Sequence, residues 1–193
     1  MCGIAGLIHK GKTSNIGSEM TSMLQALKHR GPDSTGFAVY GEPSLGEYIM
    51  RVKVAEKEDI EKGHGILDKI DARIKELEKR LADHKAKVKE KKKVTEYALR
   101  YIISHDGDTE KMERFIEEIT GVEILSLGNG LELIKDLGDA GVVSEQYKLD
   151  KFKGTHAIGH TRMATESDVD IRSAHPYWAF PYNDVAVVNN GQI

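Results

Sequence analysis

The chain has 193 residues, 39% of them hydrophobic and 31% charged, and a formal net charge of −3. That is enough for one sizeable domain, or a domain with an insertion, of ordinary globular composition. The near-neutral balance gives no case for nucleic acid or a membrane surface, no apolar run approaches the ~20 residues that cross a bilayer, and a lone cysteine excludes internal disulfides and multi-cysteine metal sites.

Residues 2–8 are apolar and glycine-punctuated, which predicts a buried strand. The apolar patch at 4–8 is too short for a signal peptide and lacks a basic leader, so a reducing cytoplasm is expected, where a thiol stays free. Residues 17–28 carry Met20, Met23, Leu24 and Leu27 at helical spacing. His29-Arg30-Gly31-Pro32-Asp33-Ser34 is turn chemistry, and residues 37–40 read as a strand closed by Gly41.

The middle of the chain differs in character. Between residues 63 and 93, Leu67, Ile70, Ile74, Leu77 and Leu81 recur at spacings of three and four among Lys and Glu. That predicts a long solvated helix with one apolar seam, supported by a Glu76–Arg80 pair and by Glu78 with neighbouring lysines. Such a seam needs a cover, and a partner subunit is one candidate. The lysine-rich run 85–93 reads as the solvated end of this helix or a loop, rather than a polyanion site. A second amphipathic stretch spans 94–103. A helix over 109–120 follows, capped by Asp108 or Thr109 and stopped by Gly121; then a strand over 122–127 and a short helix over 130–137 stopped by Gly138. Residues 61–150 thus read as an α-rich α/β insertion. Strand signals return at 156–165 and at 185–188, the latter running into Asn189-Asn190-Gly191.

Cys2 lies directly behind Met1. Trimming of Met1 leaves a thiol and a free α-amine on one residue, hence a nucleophile and a base; such an amine titrates near pH 7.7–8.0. The alternative is a small buried residue. Asn190-Gly191 alone is equally a hairpin turn after a strand. Arg162 can hold a carboxylate bidentately or form a surface ion pair. His29, His160 and His175 lie far apart with no acidic partner at ligand spacing, so no metal site is expected.

Four pieces taken together carry a resemblance: Cys2-Gly3-Ile4-Ala5-Gly6, His29-Arg30-Gly31-Pro32-Asp33, Gly159-His160-Thr161-Arg162-Met163-Ala164-Thr165 and Asn189-Asn190-Gly191. In this order, with Cys at position 2, they resemble the glutaminase domain of the class II glutamine amidotransferases, an N-terminal nucleophile hydrolase family. The resemblance covers roughly residues 2–45 and 154–193. With the insertion, Thr165-Glu166-Ser167 and Ala174-His175-Pro176, the chain looks most like the stand-alone glutaminase subunit of archaeal-type glutamate synthases.

The resemblance implies an α+β fold, the αββα sandwich of that hydrolase family, split into residues 2–60 and 151–193 around an insertion at 61–150. It implies that Cys2 attacks the amide of L-glutamine, that Asn190 and the Gly191 N–H meet the oxyanion, and that Arg162 and Thr165 bind the far end of the substrate. On an alternating strand 162 and 165 face opposite sides, so the segment must bend by Ala164 if both serve one ligand. Arg30, Gly31 and His175 are structural near the site. No cofactor is expected in this chain; FMN and iron–sulfur are expected on a glutamate synthase catalytic subunit that receives the ammonia. The family also uses an acidic residue downstream of Asn-Gly for the substrate α-amine. The sequence stops at Ile193 before any such residue, so the sandwich is expected to be C-terminally incomplete, with open sheet edges that favour a homo-oligomer. The rival readings are the glutaminase domain of a purine, hexosamine or asparagine amidotransferase, and a catalytically silent assembly module of the same fold.

Overall fold

The computed structural model describes residues 2–56, 58–59, 66–164 and 170–190. The chain divides into two compact units, one of residues 1–43 with 130–193 and one of 44–129. These limits differ from the expected 60/61 and 150/151: the strand at 48–53 falls in the second unit, and the strand at 131–137 and the helix at 140–147 fall in the first. The architecture is α+β, with antiparallel sheets and, among the described residues, four α-helices of eight residues or more. Among the described residues no helix is long and apolar enough to cross a membrane.

The first unit is built on a four-stranded antiparallel sheet of order β1-β8-β2-β7. Its strands are β1 (Gly3–Ile8), β2 (Ser34–Tyr40), β7 (Leu131–Leu137) and β8 (His156–Arg162). Helix α1 (Ile16–Ala26) buries Ile16, Met20 and Leu24, one residue per turn, while Met23 stays exposed. Full burial of each such side chain contributes roughly 1.5–3 kcal/mol. A Cβ on Gly159 of β8 would stand 2.6 Å from Leu24 Cδ1 and 3.2 Å from Met20 Sδ, so glycine there lets the helix sit on the strand. Helix α4 (Ala140–Tyr147) covers the same face: its Tyr147 hydroxyl donates to Asp136 of β7 at 2.8 Å, and Asp139 caps its N-terminus through the N–H groups of Gly141 and Val142.

Residues 131–137 form β7 instead of the expected short helix. Leu, Glu and Lys favour a helix intrinsically, but all seven residues pair with β2, from Leu131↔Tyr40 to Leu137↔Ser34, and six of them are buried. Tertiary pairing overrides propensity here.

The second unit carries its own antiparallel sheet, β4-β5-β3-β6. The strands are β3 (Tyr48–Lys53), β4 (Lys87–Lys93), β5 (Ala98–Ser104) and β6 (Glu123–Gly128). Helix α2 (Ile66–Asp83) buries Ile70, Ile74, Leu77 and Leu81, whereas Leu67 is exposed. The seam read as a surface for a partner is therefore closed inside its own unit, where a four-stranded sheet accompanies the helices. Arg80 binds Glu76 at 3.0 Å as expected, lies over the Phe115 ring and donates to the Phe115 carbonyl. The lysine-rich run does not end a helix: its residues 87–93 form β4, all exposed and paired to β5 at the sheet edge. Its lysines blunt an edge that would otherwise recruit another strand. Glu78 reaches across to Lys91 on this edge at 2.5 Å and accepts from the Tyr101 hydroxyl of β5 at 3.0 Å. Helix α3 (Thr109–Glu117) starts at the Asp108 cap and is followed by Gly121 at φ +82°.

Candidate functional site

The register of the first sheet sorts the motif residues onto two faces. Gly3 pairs with Thr161, Thr161 with Thr35, and Thr35 with Asp136. That row faces the helices, since Asp136 meets Tyr147 and a Cβ on Gly3 would meet Leu27 of the segment following α1. Directly opposed residues share a face and successive residues alternate. The next row, Ile4–His160–Gly36–Lys135, therefore faces away from the helices. So does the pair Arg162–Ser34, and the register continued one step past Gly3 brings Cys2 level with Arg162. The Cys2 thiol lies 3.9 Å from the Met163 carbonyl, a weak S–H···O contact just past the end of β8.

The far face is overlaid by the segment after residue 170. A Cβ at position 36 would stand 2.0 Å from the His175 carbonyl oxygen, so Gly36 lets the backbone of 175 lie directly on the sheet. The short hairpin β9 (Tyr177–Trp178) with β10 (Ala186–Val187) then returns the chain, with Val187 paired to Tyr177. Two contacts close the loop. The Asn189 N–H donates to His175 Nδ1 at 3.3 Å, and the Asn190 side-chain amide donates to the Cys2 carbonyl at 3.1 Å.

The end of β8 is clamped from the turn before β2. A Cβ on Gly31 would fall 2.4 Å from the Arg162 carbonyl carbon and 2.7 Å from its nitrogen. The Asp33 N–H donates to the Arg162 carbonyl at 3.1 Å, and its carboxylate accepts from the Ala164 N–H at 2.7 Å. Arg162 itself is buried, and its strand ends at that residue.

Burial and neighbouring cations keep the imidazoles here neutral. His160 is 2% exposed, and neither ring nitrogen finds a hydrogen-bond partner among the described residues. Burial, helped by His175 and the Arg162 guanidinium, pushes it down to about 4. His175 is pushed down by burial, by Lys135 and by Arg162. The two rings stand 5.0 Å apart, and Tyr177 meets His175 edge-on at 4.4 Å. The buried Ser34 hydroxyl and Thr161 hydroxyl are likewise without a partner among the described residues.

The structure thus brings Cys2, Asn190 and Arg162 to one end of one sheet and seats His175 and Gly31 against them. Arg30 is exposed on the 3₁₀ turn Lys28–Arg30, and it is Gly31 that touches β8. Thr165 and Gly191 lie outside the described residues. Sequence reasoning gave no separate role to Met163, Asp33 or Ser34. Asp33 could have been suspected, since an Asp two residues after a glycine turn often binds backbone N–H groups. The other two are set by register alone. Among the described residues no three His, Cys, Asp or Glu side chains are grouped to hold a metal.

No protein-family model matches the chain. It is similar over its whole length to a protein of Methanothermobacter thermautotrophicus described as "Putative glutamine amidotransferase", at 38% identity over 62% of that protein. It is also similar to a glutamine amidotransferase-like protein of Rhizobium meliloti, at 30% identity over all of this chain and 59% of the relative. A shorter stretch of 102 residues, 48% of this chain, is 31% identical to 16% of a glutamine–fructose-6-phosphate aminotransferase (isomerizing) of Caldanaerobacter subterraneus. The chain spans about three fifths of the length of the first two relatives.

Proposed function

We propose that this chain is the glutaminase part of a class II glutamine amidotransferase, with the αββα core of the N-terminal nucleophile hydrolases, and that it converts L-glutamine and water to L-glutamate and ammonia. The observation that carries the reading is the Asn190 amide on the Cys2 carbonyl, at 3.1 Å. It joins two motifs from opposite ends of the sequence and so supports a reading in which Asn190 serves a reaction at Cys2. The likeness to relatives named for glutamine amidotransfer supports the same reading.

After removal of Met1, the Cys2 thiol gives its proton to its own α-amine and the sulfur attacks the amide carbon of glutamine. The new C–S bond places negative charge on the carbonyl oxygen. An Asn amide has two N–H donors. With one on the Cys2 carbonyl, the other is free for the oxyanion, to which the resemblance adds the Gly191 N–H as a second donor; each such donor is worth about 2.7–4 kcal/mol. The ammonium returns its proton to the leaving nitrogen, the C–N bond breaks, and ammonia departs. Water, deprotonated by the amine, then cleaves the thioester to glutamate. Arg162 takes the substrate α-carboxylate as a bidentate partner, and Thr165 hydrogen-bonds the same end.

The ammonia acceptor is, in this reading, the catalytic subunit of a glutamate synthase, which carries FMN and iron–sulfur and makes a second glutamate from 2-oxoglutarate. One cysteine cannot supply the four thiolates of a cluster here. The shorter likeness to an aminotransferase that uses fructose 6-phosphate favours a second acceptor class, a sugar phosphate.

Mass spectrometry after treatment with 6-diazo-5-oxo-L-norleucine tests the chemistry. The expected result is a chain without Met1 that carries one adduct on Cys2, lost in Cys2→Ser, with ammonia released from glutamine by the untreated protein. A folded, Met1-free protein that stays unmodified and inert is instead a silent module.

A further inference from the structure

We propose that His175 is a positioning residue for the oxyanion site: its Nδ1 accepts the Asn189 N–H and thereby fixes the next residue, Asn190, against Cys2. The inference rests on the glutaminase reading above and deepens it.

Asn190 is exposed, so packing does little to hold its side chain. What holds it are its own bond to the Cys2 carbonyl and the bond one residue earlier, from the Asn189 N–H to His175 Nδ1 at 3.3 Å. His175 is in turn anchored from both ends. Its carbonyl lies on the sheet at Gly36, where any Cβ would approach to 2.0 Å. Its ring is set between His160, with centroids 5.0 Å apart, and Tyr177, at 4.4 Å. Tyr177 carries the Lys135 ammonium 4.9 Å over its ring, and that ammonium donates to the Arg172 carbonyl at 3.3 Å. The imidazole is an acceptor held by these contacts in the segment just before β9, and Asn190 inherits its position.

The bond also defines a tautomer. Nδ1 must be bare and the proton must sit on Nε2. A proton added at Nδ1 would point at the Asn189 N–H and break the contact. Burial resists that proton first, then the charges of Lys135 from β7 and Arg162 from β8; the other groups facing the ring, His160 from β8 and Tyr177 from β9, are uncharged. The two nearby cations on the sheet therefore have a further use. They keep His175 an acceptor across the neutral range.

Two variants separate positioning from bulk. His175→Phe keeps a ring between His160 and Tyr177 but has no acceptor. His175→Asn places an oxygen close to where Nδ1 was and cannot be protonated. Glutamine hydrolysis by H175F is expected to lose kcat by between tenfold and about 100-fold, with KM changed less than about threefold, since a misplaced donor acts on the transition state. H175N recovers most of the loss. Amide hydrogen exchange at Asn189, which needs no activity, is expected to quicken about fivefold or more in H175F and to return toward the native rate in H175N. In the native protein log kcat falls with a second proton below pH 6.5, the ordinary imidazole value, and H175N loses that second step. The proposal is overturned if Asn189 exchange is the same in all three proteins, or if H175N is as impaired as H175F. Should H175F not fold, H175N and the native pH profile decide it. If exchange behaves as expected but the native protein neither hydrolyses glutamine nor labels at Cys2, the glutaminase reading fails and the hydrogen bond stands.

Discussion

Asn190 places its side-chain amide 3.1 Å from the carbonyl of Cys2, across 188 positions of sequence. Because Asn190 is exposed, that contact contributes little to folding, and its value is geometric. Asn190→Ala is therefore expected to lower kcat for glutamine hydrolysis by about 10²–10³, the cost of one oxyanion donor. Its unfolding free energy should change by no more than about 1 kcal/mol. Ammonia release and a urea melt on the same preparation check both. A melt that collapses while the residual rate per folded molecule stays native would assign Asn190 to structure.

Gly31 and Gly6 make a matched pair for the clamp on β8. At Gly31 the φ of −178° is open to any residue, so the obstacle is the backbone of Arg162, 2.4 Å from a new Cβ. Backbone in a paired strand cannot yield as a side-chain tip can. Gly31→Ala is expected to cost about 3 kcal/mol and to move Arg162, raising KM for glutamine. At Gly6 the nearest atom would be Ile158 Cγ2 at 3.7 Å, an ordinary contact, so Gly6→Ala should stay within about 1 kcal/mol. Chemical denaturation of both variants gives the comparison; equal costs would remove the clamp argument.

The outcome for Gly31 bears on how far sequence reaches. Strands β1, β2 and β8 and helix α1 were legible because their apolar residues fall on one period and the turns between them carry Gly and Pro. β4 and β7 were not. Their Lys, Glu and Leu favour helix locally, and only pairing with β5 and β2 makes them strands. The same divide runs through the site. Cys2, Arg162 and Asn190 could be named from motifs. That His160, Gly36 and Lys135 form one row beneath His175 depends on the register of three strands, which no local pattern encodes.

That row makes the first unit sensitive to acid. His160 is buried, without a hydrogen-bond partner among the described residues, and held down to about 4, while the unfolded chain takes up its proton near 6.5. Between those values the unfolded state binds more protons, so stability is full above pH 6.5 and is lost as pH falls through about 4. The loss is about 3 kcal/mol for this one group. His160→Phe, which keeps a ring against His175, should flatten that limb in urea unfolding series from pH 7 to pH 4. An unchanged acid limb in the variant would place the sensitivity elsewhere.

The second unit should titrate in the opposite sense. Glu113 in α3 is fully buried, and neither carboxyl oxygen has a partner among the described residues. Burial, followed by the charges of Glu117, Glu110 and Asp108, pushes its carboxyl up to about 8, against only a partial offset from Arg114. The folded state therefore keeps a proton that the unfolded chain gives up near 4.5. Its stability is full below pH 4.5, declines as pH rises, and the whole contribution is gone above about 8, a few kcal/mol in all. Glu113→Gln cannot ionise and should remove this slope. Hydrogen exchange of the α3 and β6 amides at pH 6 and pH 8.5, corrected for intrinsic rates, reads the second unit alone. Wild-type protection there should fall with pH while that of E113Q holds, and a parallel decline in both would refute the assignment.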